Sequence, residues 1–320
     1  MTGSTPTDGL RDAARGALLG AALGDAIGRP FEGAPRVDPA RVDALLDGSE
    51  PLRWTDDTHM MLALGDALVE RDAAVDPQHL GAVFAAAYDA EPWRGYGSGP
   101  PQVYAMAAEG VLYVEAAGRL FGGSGSWGNG AAMRVAPAAV AGHADADRAA
   151  ALAAEQSLVT HAHPQGRDAA VLLAVVIRTA LMTDPVTRLV LPEPPGNCDL
   201  DVAIAAAWRD LLALEPGLQV CAAHAERIGS SVLARESVPA AVALAAAGAS
   251  TLDTIRTAIT LGGDTDTVAS MAGAIGGAHR GASSLPPALL DRLEARDRIQ
   301  ALADALLALP VAGEQPGSGR

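Results

Sequence analysis

The sequence predicts an all-α fold, and three features carry that prediction. Alanine dominates a composition that is 49% hydrophobic and only 3% aromatic. Alanine favours helix, whereas β-branched and aromatic residues favour strand. Helical apolar patterns recur along most of the chain, and strand signals are absent. The nearest strand-like stretch, "VTRLVLPEPPG", carries prolines that argue for a loop.

At 320 residues the chain can bury a sizeable core. Helices are expected at 10–23, 55–71, 78–90, 100–117, 130–141, 147–160, 166–183, 199–213, 219–228, 237–248, 251–261, 265–280 and 286–308. The first leads into "LLGAALGDAIGRPFEG", whose helix ends at Gly28. N-cap residue types stand at or near several starts: Asp8, Thr55, Ser157, Thr251 and Asp264. We read one domain over 9–309, with disordered ends at 1–8 and 310–320 and the longest internal connection at 184–198. No repeat of fixed period appears, which disfavours a solenoid.

Charge and cysteine usage narrow the function classes. The formal charge is -15, from 38 acidic and 23 basic residues. Such a surface repels phosphate backbones, so nucleic acid is disfavoured as a partner except as a modified substrate. Cys198 and Cys221 fit neither a disulfide framework nor a zinc site. "MTGSTPTDGL" lacks the basic and apolar regions of a signal peptide. The apolar runs near Ala131 and Ala240 are broken well short of about 18 residues. A cytoplasmic monomer with no membrane partner is expected.

Two acidic clusters carry the chemistry. "WTDDTHM" holds Thr55, Asp56, Asp57 and Thr58, and "GGDTDT" holds Asp264, Asp266 and Thr267 after a glycine pair. Acids and threonines at helix starts can simply cap backbone N–H groups. Capping accounts for one acid per cluster, not for the repeated design. Carboxylate and hydroxyl oxygens without histidine or cysteine are the ligand set of a hard cation. Four carboxylates brought together could not all stay ionised without cations, and two divalent ions would answer the repulsion. "DTDTV" also matches a haloacid-dehalogenase-type phosphatase pattern, but that motif should follow a buried strand and Asp264 follows a helical pattern. An EF-hand reading fails, because Ala269 and Ile275 occupy the required glycine and glutamate positions.

Three further segments matter. Glu32 lies in a loop bordered by proline and glycine, and Asp25 sits in apolar sequence where bracing suits it better than chemistry. "FGGSGSWGNGAAMRV" has glycine spacing that lacks the preceding strand of a dinucleotide fold. Its small residues lead into a helix at Ala131 and expose backbone N–H groups that can cradle a diphosphate. Phe121 and Trp127 offer aromatic faces, and Asn129 offers both a donor and an acceptor. Arg134 is read as either a phosphate contact or a surface residue, and His163 as a hydrogen-bonding or packing residue.

Together "GALLGAALGDAIGRPFEG", "WTDDTHM", "RGYGSGP", "GSWGNGAAMRVAP", "THAHPQGRDAA", "SVPAAV" and "GGDTDTVASMAGAIGGAHRG" resemble the ADP-ribosylglycohydrolase family, over about residues 10 to 308. The resemblance implies a single-domain orthogonal helical bundle with a dinuclear metal site in a central cleft. It implies that Thr55, Asp56, Asp57, Asp264, Asp266 and Thr267 hold two Mg²⁺ or Mn²⁺ ions. Glu32 matches the family's mobile-loop glutamate and becomes the catalytic candidate. Phe121, Gly125, Ser126, Trp127, Gly128, Asn129 and His161 match positions that contact ADP-ribose. The motif wording is closest to the branch that cleaves serine-linked, poly- or O-acetyl-ADP-ribose, where Trp127 replaces a frequent tyrosine. The implied partner is an ADP-ribosylated protein or small molecule. Arginine-linked or nucleobase-linked ADP-ribose, and an inactive ADP-ribose-binding relative, are the competing readings.

Overall fold

The computed structural model describes residues 7–192, 201, 202, 204–206, 209 and 229–310. Its helices are α1 (Asp8–Gly28), α2 (Pro39–Leu46), α3 (Asp56–Glu70), α4 (Pro77–Ala90), α5 (Gly99–Ala108), α6 (Tyr113–Gly123), α7 (Gly130–Met133) and α8 (Ala136–Ala141). They continue as α9 (Ala146–Ser157), α10 (Pro164–Leu181), α11 (Ala234–Ala247), α12 (Thr251–Thr260), α13 (Thr265–Arg280), α14 (Pro287–Leu290) and α15 (Arg296–Leu307). Among the described residues there is no strand, only two isolated bridges, Leu52 with Leu293 and Gly128 with Leu233. The all-α expectation holds.

Several boundaries differ from the sequence reading. The expected helix 100–117 is two helices parted at Gly110, whose φ is 93°. The 130–141 segment breaks between Met133 and Ala136. The 286–308 segment breaks ahead of Ala295, which adopts a left-handed φ of 57°. Helix α2 is additional; it is eight residues long and buries only Val42, too little apolar pattern to register. Its signals were Asp38 as N-cap and Pro39 at the first turn.

Cap positions shift as well. Thr7 rather than Asp8 accepts from Leu10 N, so α1 already begins at Asp8, inside the expected disordered end. Ser250 rather than Thr251 caps α12, and Ser157 closes α9 instead of opening a helix. Adjacent residues of capping type look alike in sequence; the one whose backbone is extended takes the role. The expected helix 219–228 and most of 199–213 lie outside the described residues, as do 1–6, 193–198 of the long connection and 311–320.

Helix α1 organises the interior. A glycine at every fourth position, Gly16, Gly20, Gly24 and Gly28, lines one face. That face lies directly on α13, running antiparallel to it. A Cβ on Gly20 would come 2.2 Å from the Gly273 carbonyl oxygen, and one on Gly24 would come 2.1 Å from that of Ala269. No larger residue permits this approach. Where the stripe ends, Gly28 meets the first turn of α13, and Thr265 Oγ1 donates to the Gly28 carbonyl at 2.9 Å.

The opposite requirement, holding α3, falls to Asp25. Its wholly buried carboxylate accepts from Thr55 N at 2.9 Å, Thr58 N at 3.0 Å and Thr58 Oγ1 at 2.6 Å. The two N–H groups are among those that the first turn of a helix leaves without partners. Burial raises the Asp25 pKa to about 6, against the lowering effect of these bonds. One helix thus fixes the starts of both α3 and α13.

Candidate active site

The two acidic clusters meet. Asp56 and Asp57 occupy the first turn of α3, capped by Thr55, and Asp264 precedes the first turn of α13, which carries Asp266 and Thr267. Thr267 Oγ1 lies 3.5 Å from Asp57 Oδ1, across 210 residues of sequence. Carboxylate oxygens of Glu32, Asp264 and Asp266 lie within 4.8 Å of one another. The glycine pair makes the approach possible. Gly262 and Gly263 adopt φ of 76° and 74°, a left-handed backbone that side chains resist. Gly263 exchanges backbone hydrogen bonds with the loop beyond Glu32, donating to Ala34 O at 2.7 Å and accepting from Gly33 N at 2.8 Å.

Electrostatics of the cluster follow from burial. Desolvation first, then neighbouring carboxylates, push Asp56 up to about 8 and Asp266 up to about 9. The same causes hold Asp57 well above the carboxylate range. Burial raises Asp264, opposed by its hydrogen bond from Asn129, and raises Glu32 on the exposed side. Asp57 Oδ2 is buried with no hydrogen-bond partner. Such an orphaned acceptor calls for a cation. The donor set, carboxylates and threonine hydroxyls, fits a hard divalent ion.

A cavity of about 640 Å³ opens over the acids. Its second wall is the glycine loop. Asn129 Nδ2 donates to Asp264 Oδ2 at 2.6 Å, tying this wall to the acids. Backbone bonds from Asn129 N to Val232 O and from Ala234 N to Trp127 O anchor the loop to the segment before α11. Phe121 stands at the mouth in a left-handed conformation, φ 51°, and is 59% exposed. Trp127 is half-exposed and leans on the His163 ring at 5.0 Å. His163 itself accepts from Gln165 N and caps α10. Gly125, Ser126, Gly128 and His161 complete this wall. All the expected contact residues therefore border one cavity, and Thr55 supports it from the α3 cap.

Two expectations change. The loop amides of Gly125, Gly128 and Asn129 are bonded within the protein, to Leu120 O, Ser126 Oγ and Val232 O. Those three are not free to cradle a diphosphate, because the loop folds on itself there, and the helix that follows has only four residues. Arg134 is not a surface residue; it is completely buried beneath the cavity, which it helps to line. It donates to Gln156 and Thr160 and faces the Phe84 ring at 4.5 Å. A charge inside apolar "GAAMRVAPAAV" was the signal for that burial.

Sequence reasoning also left the 95–100 stretch of "RGYGSGP" without a role, and it forms part of the cavity wall. Its anchor is Arg94, stacked 3.8 Å over Trp54 and bidentate to Glu294, with its own carbonyl accepting from Asp56 N at 2.9 Å. The phosphatase reading loses support, since α12 and not a strand leads into Asp264.

An all-α protein with a hard-oxygen acid cluster beneath an aromatic-rimmed cleft has the equipment of a hydrolase that handles a polar, partly aromatic substrate. The particular family follows from comparison. The family model described as ADP-ribosylglycohydrolase matches residues 6–315, and the chain belongs to that family of glycosidic-bond hydrolases. The ADP-ribosylhydrolase ARH3 of Homo sapiens is 32% identical, with 81% of this chain and 79% of the relative covered. The ARH3 of Danio rerio is also 32% identical, covering 81% and 80%. The uncharacterized protein YegU of Escherichia coli (strain K12) is 31% identical, covering 77% of each chain. A solved structure named as an ADP-ribosylglycohydrolase-related protein complex superposes with a TM-score of 0.74 at 28% identity, covering 95% of this chain and 99% of that one.

Proposed function

We propose that this chain releases ADP-ribose from ADP-ribosylated proteins or small molecules by hydrolysing the bond at C1″ of the distal ribose. Serine-linked, poly- and O-acetyl-ADP-ribose are the favoured substrates, supported by the motif wording and by relatives named ADP-ribosylhydrolase. The observation that carries the reading is the meeting of Asp57 with Thr267 beside Glu32, Asp264 and Asp266 in one cavity, with Asp57 Oδ2 left unpartnered. All these groups come from one chain, consistent with a working monomer and a single catalytic domain at 9–309.

Thr55, Asp56, Asp57, Asp264, Asp266 and Thr267 would hold two Mg²⁺ or Mn²⁺ ions. When bound, the ions supply Lewis-acid polarisation to a sugar diol and to water. Glu32, its pKa raised by burial and then by Asp264, would take a proton from the attacking water as C1″ passes through an oxocarbenium-like state. Water adds its hydroxyl to C1″, and the proton ends on the departing acceptor. Phe121 and Trp127 would hold the adenosine end by stacking, Ser126, Asn129 and His161 would offer polar side chains to the diphosphate and ribose, and Gly125 and Gly128 would leave the loop surface open to them.

The test is a panel of serine-linked, arginine-linked, poly- and O-acetyl-ADP-ribose substrates, assayed for free ADP-ribose with Mg²⁺ and then Mn²⁺. Asp266→Ala is expected to lose orders of magnitude in turnover, and Glu32→Ala to bind ADP-ribose while losing turnover. Near-native rates for Asp266→Ala at saturating Mg²⁺ would refute the metal role. Binding without turnover by the wild type would make the chain an ADP-ribose-binding module.

A further inference from the structure

His161 is held by a chain of buried groups that the mechanism above does not use. Arg134 reaches it through Thr160. Arg134 Nη2 donates to Thr160 Oγ1 at 2.9 Å, and Thr160 Oγ1 lies 2.8 Å from His161 Nδ1. A guanidinium has only N–H groups to offer, so the hydroxyl oxygen is the acceptor in that first bond. Among the described residues the Thr160 hydroxyl proton has no other acceptor than His161 Nδ1, so the buried pair is satisfied when Nδ1 accepts and the ring proton sits on Nε2.

The guanidinium is itself fixed. Its Nε donates to Gln156 Oε1 at 2.7 Å and its Nη2 to Gln156 O at 3.1 Å. The Gln156 amide nitrogen faces the carbonyls of Ala131 and Ala153, so its oxygen must face the arginine. Phe84 covers the cation. Burial, then the nearby Arg134 charge, hold His161 down at about 3, so the ring is neutral. Gly130 leaves room for the far edge of the ring, since a Cβ there would lie 2.7 Å from Cε1 and 3.0 Å from Nε2. His161 lines the cavity, and among the described residues no group is hydrogen-bonded to Nε2.

We propose that Arg134 and Thr160 are positioning residues that lock His161 as the Nε2–H tautomer, so that it gives one neutral hydrogen bond to a ribose or diphosphate oxygen of the substrate. Only the identity of that acceptor rests on the proposed function; the lock is a property of the free protein. A cationic His161 would bind anions by charge. A neutral one instead tests for an acceptor in a fixed direction, which selects for shape.

Long-range ¹H–¹⁵N spectra of the full chain, with His161 assigned from Thr160→Val and Thr160→Ser, read the tautomer directly. The expected result is Nε2–H in the wild type and in Thr160→Ser, and a mixed or Nδ1–H ring in Thr160→Val. ADP-ribose affinity by calorimetry should fall roughly tenfold in Thr160→Val and return in Thr160→Ser. An imidazolium or Nδ1–H ring in the wild type would overturn the lock. So would a Thr160→Ser protein as weak as Thr160→Val, which would mark Thr160 as merely structural. A switched tautomer with unchanged affinity would overturn the donor role. An Nε2–H wild-type ring in a protein that binds no ADP-ribose would leave the lock standing and refute the ADP-ribose reading alone.

Discussion

Asp25 is the residue on which the geometry of the first acidic cluster turns. It accepts the free N–H groups of Thr55 and Thr58 and the Thr58 hydroxyl, all in the interior. Removing the carboxylate leaves buried donors unpartnered, each at a cost of about 1–3 kcal/mol. Asp25→Ala is therefore expected to lower stability by about 3 kcal/mol in chemical denaturation. It should also weaken divalent-cation binding, because Asp56 and Asp57 ride on the turn it holds. A variant with native denaturation midpoint and native cation affinity would show that the α3 cap stands without it. This role was partly visible beforehand. An aspartate in "LLGAALGDAIG" invites a bracing interpretation, but nothing in that segment says that its donors come from residues 55 and 58.

At the scale of elements, the α1–α13 pair sets the distance between the Glu32 loop and the second cluster. Glycine stripes bring the two backbones into contact, so any Cβ on that face must move a helix. Gly20→Ala puts a methyl 2.2 Å from a carbonyl oxygen and is expected to cost about 1–3 kcal/mol. Gly118, inside α6 with open space around its would-be Cβ, is the control. There the same substitution should stabilise by about 0.5–1 kcal/mol through helix propensity. Paired thermal melts decide the matter; equal effects at both sites would mean that the close approach contributes nothing. Helix existence was legible from alanine-rich periodicity. Breaks within long patterns were not, because a single left-handed residue such as Ala295 leaves the apolar spacing on either side intact.

For the whole molecule, the acid cluster ties stability to pH and to cations. Folding without cations raises Asp56 to about 8 and Asp266 to about 9, from about 3.9 in the unfolded chain. With folded values raised, the folded protein holds protons that the unfolded chain has released. Stability is then fully present below about pH 4 and is lost as pH rises toward about 9. Cations bound at the cluster as proposed would replace those protons. The Tm of chelator-treated protein should fall between pH 5 and pH 9, and the rise on adding Mg²⁺ or Mn²⁺ should grow over the same span. A cation effect that shrinks with rising pH would contradict the acid cluster as the binding site. Among the described residues no helix is long and apolar enough to cross a membrane.

The helical class, the two acidic clusters, the glycine loop and the family are all legible without coordinates, because each is written in composition or in contiguous motifs. Only the packed structure shows that Asp57 meets Thr267, that Asn129 reaches Asp264, and that Arg134 contacts His161 through Thr160. The physical reason is range. Periodicity and capping act within one or two helical turns and leave a trace in neighbouring residues. A hydrogen bond between positions 135 or 210 residues apart exists only once the intervening helices have packed.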